Sequence, residues 1–138
     1  MEHNLKEYNR QVIEEFREKR SKGQVEDRPR LLLTTIGARS GQPRTTPMMY
    51  IRDGDRLLVV ASNAGAQRHP DWYHNLVAHP EVTVEVRAEI FDARARVIEG
   101  AERQQVWARI VGQYPFFADH QAKITRQIPV IALERRDG

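Results

Sequence analysis

Two arginines and a serine share one short glycine-containing turn, GARSGQPR, at residues 37–44. Guanidinium groups bind phosphate or carboxylate through paired hydrogen bonds, and glycines let backbone N–H groups approach an anion. We therefore expect Arg39, Ser40 and Arg44 to bind an anionic ligand. The turn is neither a Walker loop, which requires Gly-Lys followed by Ser or Thr, nor a dinucleotide fingerprint, because no helix follows it. A surface hairpin with solvated arginines is the alternative interpretation.

A second polar turn, SNAG at residues 62–65, follows an apolar run and precedes a predicted helix. Unpaired backbone N–H groups and the positive end of a helix attract anions at such turns. If the first three strands are adjacent, Ser62 and Asn63 face the same ligand as Arg39 and Arg44. A plain connecting loop that uses glycine and asparagine for its turns is the alternative.

Four aromatic residues offer flat surfaces close to these turns in the sequence: Trp72, Tyr114, Phe116 and Phe117. Aromatic faces stack on heterocycles or enclose apolar substrates, although aromatics at helical spacing more often belong to a core. Trp72 follows the second turn, and Tyr114 lies at the end of a predicted helix. These two are the aromatic residues that we expect at a functional site.

The sequence lacks the residues that covalent or metal-dependent catalysis requires. It contains no cysteine and no G-x-S-x-G elbow for a covalent mechanism. His69, His74 and His79 recur every five residues. On a helix this spacing rotates successive side chains by about 140°, so we predict no metal site. Anion donors and aromatic walls without a nucleophile suit a phosphate-bearing redox cofactor, which brings its own chemistry.

Composition limits the class of protein. The chain has 138 residues, of which 40% are hydrophobic and 30% charged, and its net charge is +3. These values predict one globular domain over 1–138. The charge is too small and too scattered to predict nucleic-acid binding. No apolar signal segment or membrane span is found, which predicts a cytoplasmic location.

Hydrophobic spacing predicts the elements that position these residues. An amphipathic N-terminal helix over 1–24, packed on the domain, is indicated by three- and four-residue spacing of Leu5, Tyr8, Val12 and Phe16. A barrel region follows at 30–136. Its six predicted strands cover 31–36, 45–52, 56–62, 82–86, 91–97 and 129–134, with helices over 70–78 and 101–113 and a loop over 114–127.

Two of the strand patterns are informative about burial. The run LLVVA at 57–61 is apolar on both faces, as in a central strand. In contrast, the valines of VTVEV at 82–86 alternate with Thr83 and Glu85, which predicts a half-exposed antiparallel hairpin with these two residues outward. Short strands that wind in this order favour a small barrel, because closure removes exposed edges.

The motifs occur in a specific combination and order. G-x-x-S/T-G-x-x-R at 37–44, A-S-x-x-G at 61–65, P-x-W-Y-x-N-L at 70–76 and Y-P-x-[YF] to I-P at 114–129 resemble the deazaflavin-dependent nitroreductase family of actinobacteria. This resemblance covers roughly residues 30–135. It implies an α+β, mainly β fold, namely a split β-barrel of about six mostly antiparallel strands with an N-terminal helix and two inserted helices. It also implies coenzyme F420, an 8-hydroxy-5-deazaflavin with a phosphate and a polyglutamate tail, which donates a hydride.

The resemblance also assigns site residues. Arg39 and Arg44 match the phosphate-binding positions of the first turn. The segment that lines the deazaflavin ring corresponds to Thr46, Pro47, Met48 and Met49. A second anion-binding segment corresponds to Val60, Ser62 and Asn63, and the helix positions beside the ring correspond to Trp72 and Asn75.

Some residues depart from the pattern of the family. Ala38 stands where some members have a second arginine, and Asn63 where a lysine can occur, which predicts weaker phosphate binding. On the substrate side, nitro-reducing members look rich in tyrosine, whereas this chain keeps Tyr114 but has Phe117 and His120 in the later positions. Unlike tyrosine, phenylalanine cannot donate a proton or a hydrogen bond.

The sequence therefore predicts an oxidoreductase that transfers hydride from reduced coenzyme F420 to a planar, electron-poor acceptor such as a quinone or nitroaromatic. Tyr114, Phe117 and His120 would form the substrate pocket, with proton delivery by Tyr114, His120 or water. FMN in the same barrel is one alternative, and a non-catalytic cofactor carrier or fatty-acid-binding protein is another. The expected partners are a small-molecule acceptor and, for a lipid quinone, a membrane surface. The protein is expected to be either a monomer or a homodimer.

Overall fold

The computed structural model describes residues 2–25 and 27–136, with side chains from residue 5 onward. Residues 1, 26, 137 and 138, which fall in the predicted helix, linker and C-terminus, lie outside the described residues. Within the described part, the helices are α1 Glu2–Ser21, α2 Asp71–Ala78, α3 Gly100–Gln113 and α4 Phe116–Ala122, with a 3₁₀ turn at Asn63–Gly65. The strands are β1 Arg30–Ile36, β2 Pro43–Met49, β3 Ile51–Asp53, β4 Arg56–Val60, β5 Glu81–Val86, β6 Glu89–Val97 and β7 Val130–Arg135.

The strands form one sheet in the order β2-β1-β5-β6-β7-β4-β3, and every neighbouring pair is antiparallel. The two edge strands, β2 and β3, are consecutive in the sequence and separated only by Tyr50. Because the chain passes from one edge to the other within one residue, the sheet must curl until its edges approach. The predicted strand over 45–52 is thus one bent strand that closes the sheet, and the predicted split barrel is confirmed.

The two faces of the curled sheet bury separate apolar clusters. Leu57 and Val59 of β4 point into the barrel, which is filled by alternate residues of β1, β5, β6 and β7. Leu58 of β4 points to the outer face, where Val106 and Ile110 of α3 cover it. The prediction that this strand is apolar on both faces is confirmed, because both of its surfaces are covered.

Helix α1 packs on the sheet through only part of its apolar stripe. Val12 and Phe16 are buried, but Leu5 and Tyr8 are 58% and 56% exposed. The prediction that the whole stripe packs on the domain is therefore wrong for the first two turns of the helix. These turns extend beyond the surface that the second half of α1 covers.

An ion pair fastens α1 to β5. Alternation along this strand predicts that Glu85 faces solvent, yet the residue is only 5% exposed. Arg17 Nη2 donates to Glu85 Oε2 at 2.8 Å, and Arg20 Nη1 donates to Glu85 Oε1 at 2.8 Å. The outer face of β5 is thus a helix-binding face, and the prediction of an exposed Glu85 is wrong.

The segment after α3 also differs from its prediction. Residues 114–127, expected to form a loop, contain α4, which begins after Pro115 and buries Phe117 in the outer apolar cluster. Helix α4 has seven residues, too few for its periodicity to stand out between two prolines. The prediction of two inserted helices is therefore corrected to three.

Candidate functional site

The basic turn between β1 and β2 is closed by its own backbone. Gly37 N–H donates to the carbonyl of Gln42 at 2.8 Å, and Gly41 N–H donates to the carbonyl of Gly37 at 2.9 Å. The hydroxyl of Ser40 accepts from Gln42 N–H at 3.1 Å, and a Cβ on Gly37 would overlap that hydroxyl. Glycine at position 37 thus allows the serine to fold into the turn, so Ser40 shapes the loop through its own hydroxyl.

The two arginines of this turn are free to bind a ligand. Arg39 and Arg44 are exposed, and within residues 2–25 and 27–136 neither guanidinium pairs with a carboxylate. The one hydrogen bond of the Arg44 side chain is to the carbonyl of Pro43 at 3.4 Å. Two unpaired cations on a fixed turn are suited to phosphate or carboxylate.

Asn75 connects this turn to α2. Its side-chain oxygen accepts from Ala38 N–H at 2.9 Å, and its Nδ2 donates to Thr35 Oγ1 at 3.1 Å. The residue is 9% exposed, so both ends of the amide are committed to the protein. The structure gives Asn75 a supporting position behind the turn, and its position beside the cofactor ring stays a prediction.

The second turn, after β4, has an unusual backbone. Ser62 is in the right-handed helical region, whereas Asn63 and Ala64 have φ of 49° and 54°. A right-handed residue followed by a left-handed one forms a nest of N–H groups that binds anions. The N–H groups of Asn63 and Ala64 donate to no carbonyl of the described residues. Helix α2 begins at Asp71, close to its predicted start at residue 70 and six residues beyond Gly65, so the nest, rather than a helix end, supplies the donors.

Helix α4 lies against this second turn. A Cβ on Gly65 would lie 3.6 Å from Cα of His120, which is ordinary van der Waals contact. Glycine is favoured here by its φ of 83°, in the left-handed region, rather than by lack of space. The Nδ1 atom of His120 is buried and has no hydrogen-bond partner among the described residues. Buried polar atoms are normally satisfied, so this nitrogen marks the contact between α4 and the turn after β4 as a candidate binding position.

An apolar wall joins the predicted cofactor and substrate residues. Met49 of β2, Val60 of β4 and Tyr114 all pack against the outer cluster that contains Phe117. The rings of Tyr114 and Phe117 are 6.5 Å apart and nearly perpendicular, at 77°. Residues from four separate segments thus meet on one surface at the ends of β2 and β4. Only α4, which the sequence did not predict, brings Phe117 there.

Other predicted ring contacts lie elsewhere. Met48 and Trp72 pack against the cluster inside the barrel, and Thr46 and Pro47 are half-buried on β2. The sequence-predicted residues therefore divide between the outer wall and the barrel interior. Neighbouring residues of one strand face opposite sides of a sheet, which is why Met48 and Met49 separate.

The histidine spacing led to a partly wrong expectation. His69 lies before α2, so helical rotation does not separate it from His74, and the two ring centroids are 5.6 Å apart. Within the described residues, no group of three or more histidine, aspartate or glutamate side chains could hold a metal ion.

A cavity of about 220 Å³ opens at the opposite end of β4, near the β3–β4 turn. Its lining includes Arg52, Phe91 and Arg135. It contains none of the residues predicted from the sequence. We therefore place the candidate site at the other end of β4, at the turn that follows it and at Val60 of the apolar wall. The basic turn follows β1, which runs in the same direction as β4 in the sheet.

The residues present fit a cofactor with an anionic tail and a flat ring. The unpaired Arg39 and Arg44 and the N–H groups of Asn63 and Ala64 supply anion donors, and the outer wall supplies an apolar surface. These features define a split-barrel protein built to bind a phosphate-bearing redox cofactor.

Comparison with known proteins agrees with this class. Residues 8–135 match the sequence model of the family described as F420H(2)-dependent quinone reductase, and the chain belongs to this family. It is therefore an oxidoreductase that uses reduced coenzyme F420 with a quinone acceptor. The predicted resemblance to deazaflavin-dependent reductases is confirmed, and the FMN and carrier alternatives are not supported.

Individual relatives give the same result. The F420H(2)-dependent quinone reductase Rv1261c of Mycobacterium tuberculosis (strain ATCC 25618 / H37Rv) is 41% identical over 112 residues, which cover 78% of this chain and 74% of the relative. A solved F420-H2 dependent reductase, FDR-A, is 41% identical with a TM-score of 0.71, covering 80% of this chain and 98% of that one. A solved structure described as a domain-swapped dimer is 37% identical with a TM-score of 0.73. The match covers 94% of this chain and 96% of that one. No helix in the described ranges is long and apolar enough to cross a membrane.

Proposed function

We propose that the anionic tail of coenzyme F420 binds between the basic turn and the turn after β4, with its ring against the outer apolar wall. The observation that carries this proposal is the shared cluster of Met49, Val60, Tyr114 and Phe117. Met49, one of the predicted ring-lining residues, shares this cluster with Tyr114 and Phe117 of the predicted substrate pocket. The acceptor quinone would occupy the side formed by Tyr114, Phe117 and His120.

When bound, the reduced coenzyme supplies a hydride, so a quinone needs one further proton to become a hydroquinone. His120 is placed to supply or relay that proton, because its Nδ1 is buried without a partner beside Gly65. The hydroxyl of Tyr114 is a second donor, and it already accepts from Gln113 Nε2 at 3.5 Å. A positioned donor of this kind contributes roughly 10²–10⁴-fold to a rate.

The apolar wall contributes by excluding water. Phe117 is 6% exposed, and its ring lies close to those of Phe116 and His120, with centroids 4.3 Å and 6.1 Å away. A planar quinone held against these rings loses its hydration shell and is oriented by stacking. The protein's role in the reaction is therefore to orient the acceptor, to keep the surface dry and to deliver a proton.

The binding proposal is tested by titrating the protein with coenzyme F420 and following the fluorescence of Trp72 and Trp107. The double variant Arg39→Ala/Arg44→Ala should weaken binding by roughly 100-fold or more, because two charge-assisted contacts are lost. Arg52→Ala/Arg94→Ala is the matched control, since it removes the same charge from exposed arginines that lie outside the two turns. Equal affinities of the two double variants would contradict the site assignment.

The acceptor class is tested separately. Anaerobic assays with the reduced coenzyme, followed by its absorbance, should show turnover with a soluble quinone. A nitroaromatic of similar size should react more slowly, because Phe117 replaces a hydroxyl-bearing tyrosine on the substrate side. Faster turnover of the nitroaromatic would overturn the preference for quinones.

We further propose that the protein forms a homodimer. Support comes from the solved relative described as a domain-swapped dimer, which covers nearly the whole of this chain, and from the exposed Leu5 and Tyr8 on α1. Light scattering after size-exclusion chromatography should give twice the monomer mass of 16.0 kDa. The double variant Leu5→Ser/Tyr8→Ser should shift the mass to that of a monomer, whereas an unchanged mass would assign the dimer to another surface.

If these two side chains are not covered by a second copy, they would instead carry the peripheral membrane contact expected for a lipid quinone. Co-sedimentation with vesicles should then decrease in Leu5→Ser/Tyr8→Ser. Equal sedimentation of the variant and the wild type would contradict a membrane role for α1.

A further inference from the structure

One half-buried arginine organises the turn after β4. Arg126 lies before β7 and donates to three backbone carbonyls of this segment. Its Nη1 donates to Ala61 at 3.1 Å, its Nη2 to Ser62 at 2.9 Å, and its Nε and Nη2 to Ala66 at 3.1 and 3.0 Å. No other side chain among the described residues bonds so many carbonyls of one turn.

These hydrogen bonds fix the direction of the opposing N–H groups. A trans peptide is planar, so its N–H points away from its own carbonyl, and no peptide bond of the described chain is cis. Since Arg126 holds the carbonyls of Ala61 and Ser62, the N–H groups of Ser62 and Asn63 point away from the guanidinium. The nest consists of the consecutive N–H groups of residues 62–64, and the arginine sets the orientation of the first two.

The turn needs such support because its backbone is disfavoured. Asn63 and Ala64 both have positive φ, at 49° and 54°, a region that residues with a Cβ adopt at a cost. Within the turn, Gly65 N–H donates to Ser62 and Ala66 N–H to Asn63, each at 3.0 Å. The guanidinium adds four further bonds to the same segment.

Arg126 has no carboxylate partner among the described residues. Its remaining bond is to Nδ1 of His69, at 3.1 Å. Burial lowers the pKa of Arg126, but an arginine stays protonated in proteins. An uncompensated positive charge thus lies on the carbonyl side of the nest, where it also favours an anion on the N–H side.

We propose that Arg126 is a positioning residue for cofactor binding: it holds the N–H groups of Ser62 and Asn63 in the orientation that receives the anionic tail of the coenzyme. This inference rests on the proposed function, because it takes the turn to bind that tail. Arg126 acts through the backbone, because all of its N–H groups already donate to the three carbonyls and to His69.

The test compares two ligands: coenzyme F420 and the deazaflavin riboside that lacks the phosphate and the glutamate tail. In Arg126→Gln, the Kd for the coenzyme should rise about tenfold or more, because a glutamine cannot hold three carbonyls at once. The Kd for the riboside should change by about threefold or less, because it has no anionic group for the nest. A purely structural defect would weaken both ligands equally.

Arg103→Gln is the matched control. Arg103 is buried and, like Arg126, has no carboxylate partner in the described chain; its Nη2 donates to one carbonyl, that of Ile128. Thermal unfolding without ligand should show that both variants fold. The control should bind both ligands as the wild type does.

A second variant separates charge from geometry and applies even if Arg126→Gln does not fold. Arg126→Lys keeps the positive charge but cannot span the three carbonyls. Its Kd for the coenzyme should rise about fivefold or more while the salt dependence of binding stays that of the wild type. In the wild-type protein, the amide NMR signals of Ser62 and Asn63 should shift with the coenzyme and stay in place with the riboside.

The outcomes are distinguishable. Wild-type affinity for the coenzyme in both Arg126→Gln and Arg126→Lys, or equal loss of both ligands in the variants, would overturn this inference alone. Failure of the wild-type protein to bind the coenzyme would overturn the proposed function together with the inference. Selective loss of the coenzyme in the Arg126 variants, with the Arg103 control unaffected, would support it.

Discussion

The side chain of Asn75 holds the backbone N–H of Ala38 at 2.9 Å, and this bond joins α2 to the basic turn between β1 and β2. The same amide donates to Thr35 Oγ1 at 3.1 Å. The turn carrying Arg39 and Arg44 is thus held by a buried side chain 37 residues further along the chain from Ala38. Its orientation depends on the docking of a helix.

Replacing Asn75 with alanine should loosen the basic turn. We expect unfolding free energy to fall by about 1–3 kcal/mol, because Thr35 Oγ1 and Ala38 N–H lose their partner. The Kd for coenzyme F420 should rise as well, and denaturant unfolding together with the fluorescence titration measures both effects. Gln105→Ala, on the exposed surface of α3, is the control. Unchanged amide exchange at residues 37–44 would show that the turn holds without Asn75.

Replacing Glu85 with glutamine should release α1 from the sheet. Removing one partner of a buried pair costs more than losing a surface pair, so we expect a loss of about 1–3 kcal/mol. The lower end of this range allows for the partial exposure of Arg17, since solvent weakens its attraction to Glu85. Glu89→Gln, which removes an exposed carboxylate paired with Arg135, should cost about 1 kcal/mol or less. Equal effects of the two substitutions would contradict the anchoring role.

The contribution of Glu85 should also depend on pH. Burial alone raises the pKa of Glu85, but hydrogen bonds from Arg17 and Arg20 outweigh it and hold the pKa below its usual value of 4.5. The stabilisation is therefore present above about pH 4.5 and is lost as pH falls through the lowered pKa. The stability difference between wild type and Glu85→Gln should shrink when unfolding is repeated below about pH 4. A constant difference would indicate that the ion pair is not its source.

His120 and Tyr114 should differ in their contribution to turnover. If His120 supplies the proton, His120→Gln should lower kcat by about 100-fold, while the Kd for the coenzyme stays close to that of the wild type. Tyr114→Phe keeps the ring in the apolar wall, and its kcat should change by about threefold or less. Steady-state assays with one quinone distinguish the two, and the reverse ranking would move the proton donor to Tyr114.

Stability should fall in mildly acidic solution because of His69. Burial lowers the pKa of His69 below 6.5, and the charges of Arg126 and His74 lower it further. Between the lowered pKa and 6.5 the unfolded chain binds more protons, so stability decreases as pH falls through this range. The unfolding free energy of the wild type should therefore be lower at about pH 5.5 than at about pH 7.5, and this difference should be smaller in His69→Gln. His79→Gln, an exposed histidine after α2, should leave the difference as it is in the wild type.

Local patterns in the sequence were sufficient for most strands and for three of the four helices. Alternation and apolar runs depend on neighbouring residues, so β1, β4, β5 and β6 lie within a few residues of their predicted positions. Helix α4 was missed because it has only seven residues. Phe117 packs in the outer cluster and His120 against the turn after β4, and no local pattern reports these contacts.

The sequence by itself determined which residue types are available for an anionic redox cofactor: the basic turn, the polar turn after β4 and the aromatic residues near Tyr114. The tertiary structure alone decided which residues hold these parts in place. Asn75, Glu85 and Arg126 act on partners 37, 68 and 65 residues away. Such contacts form only when the sheet curls and the helices dock, because hydrogen bonds and ion pairs depend on distance in space, and a side chain's distant partner leaves no trace in the spacing of its neighbours.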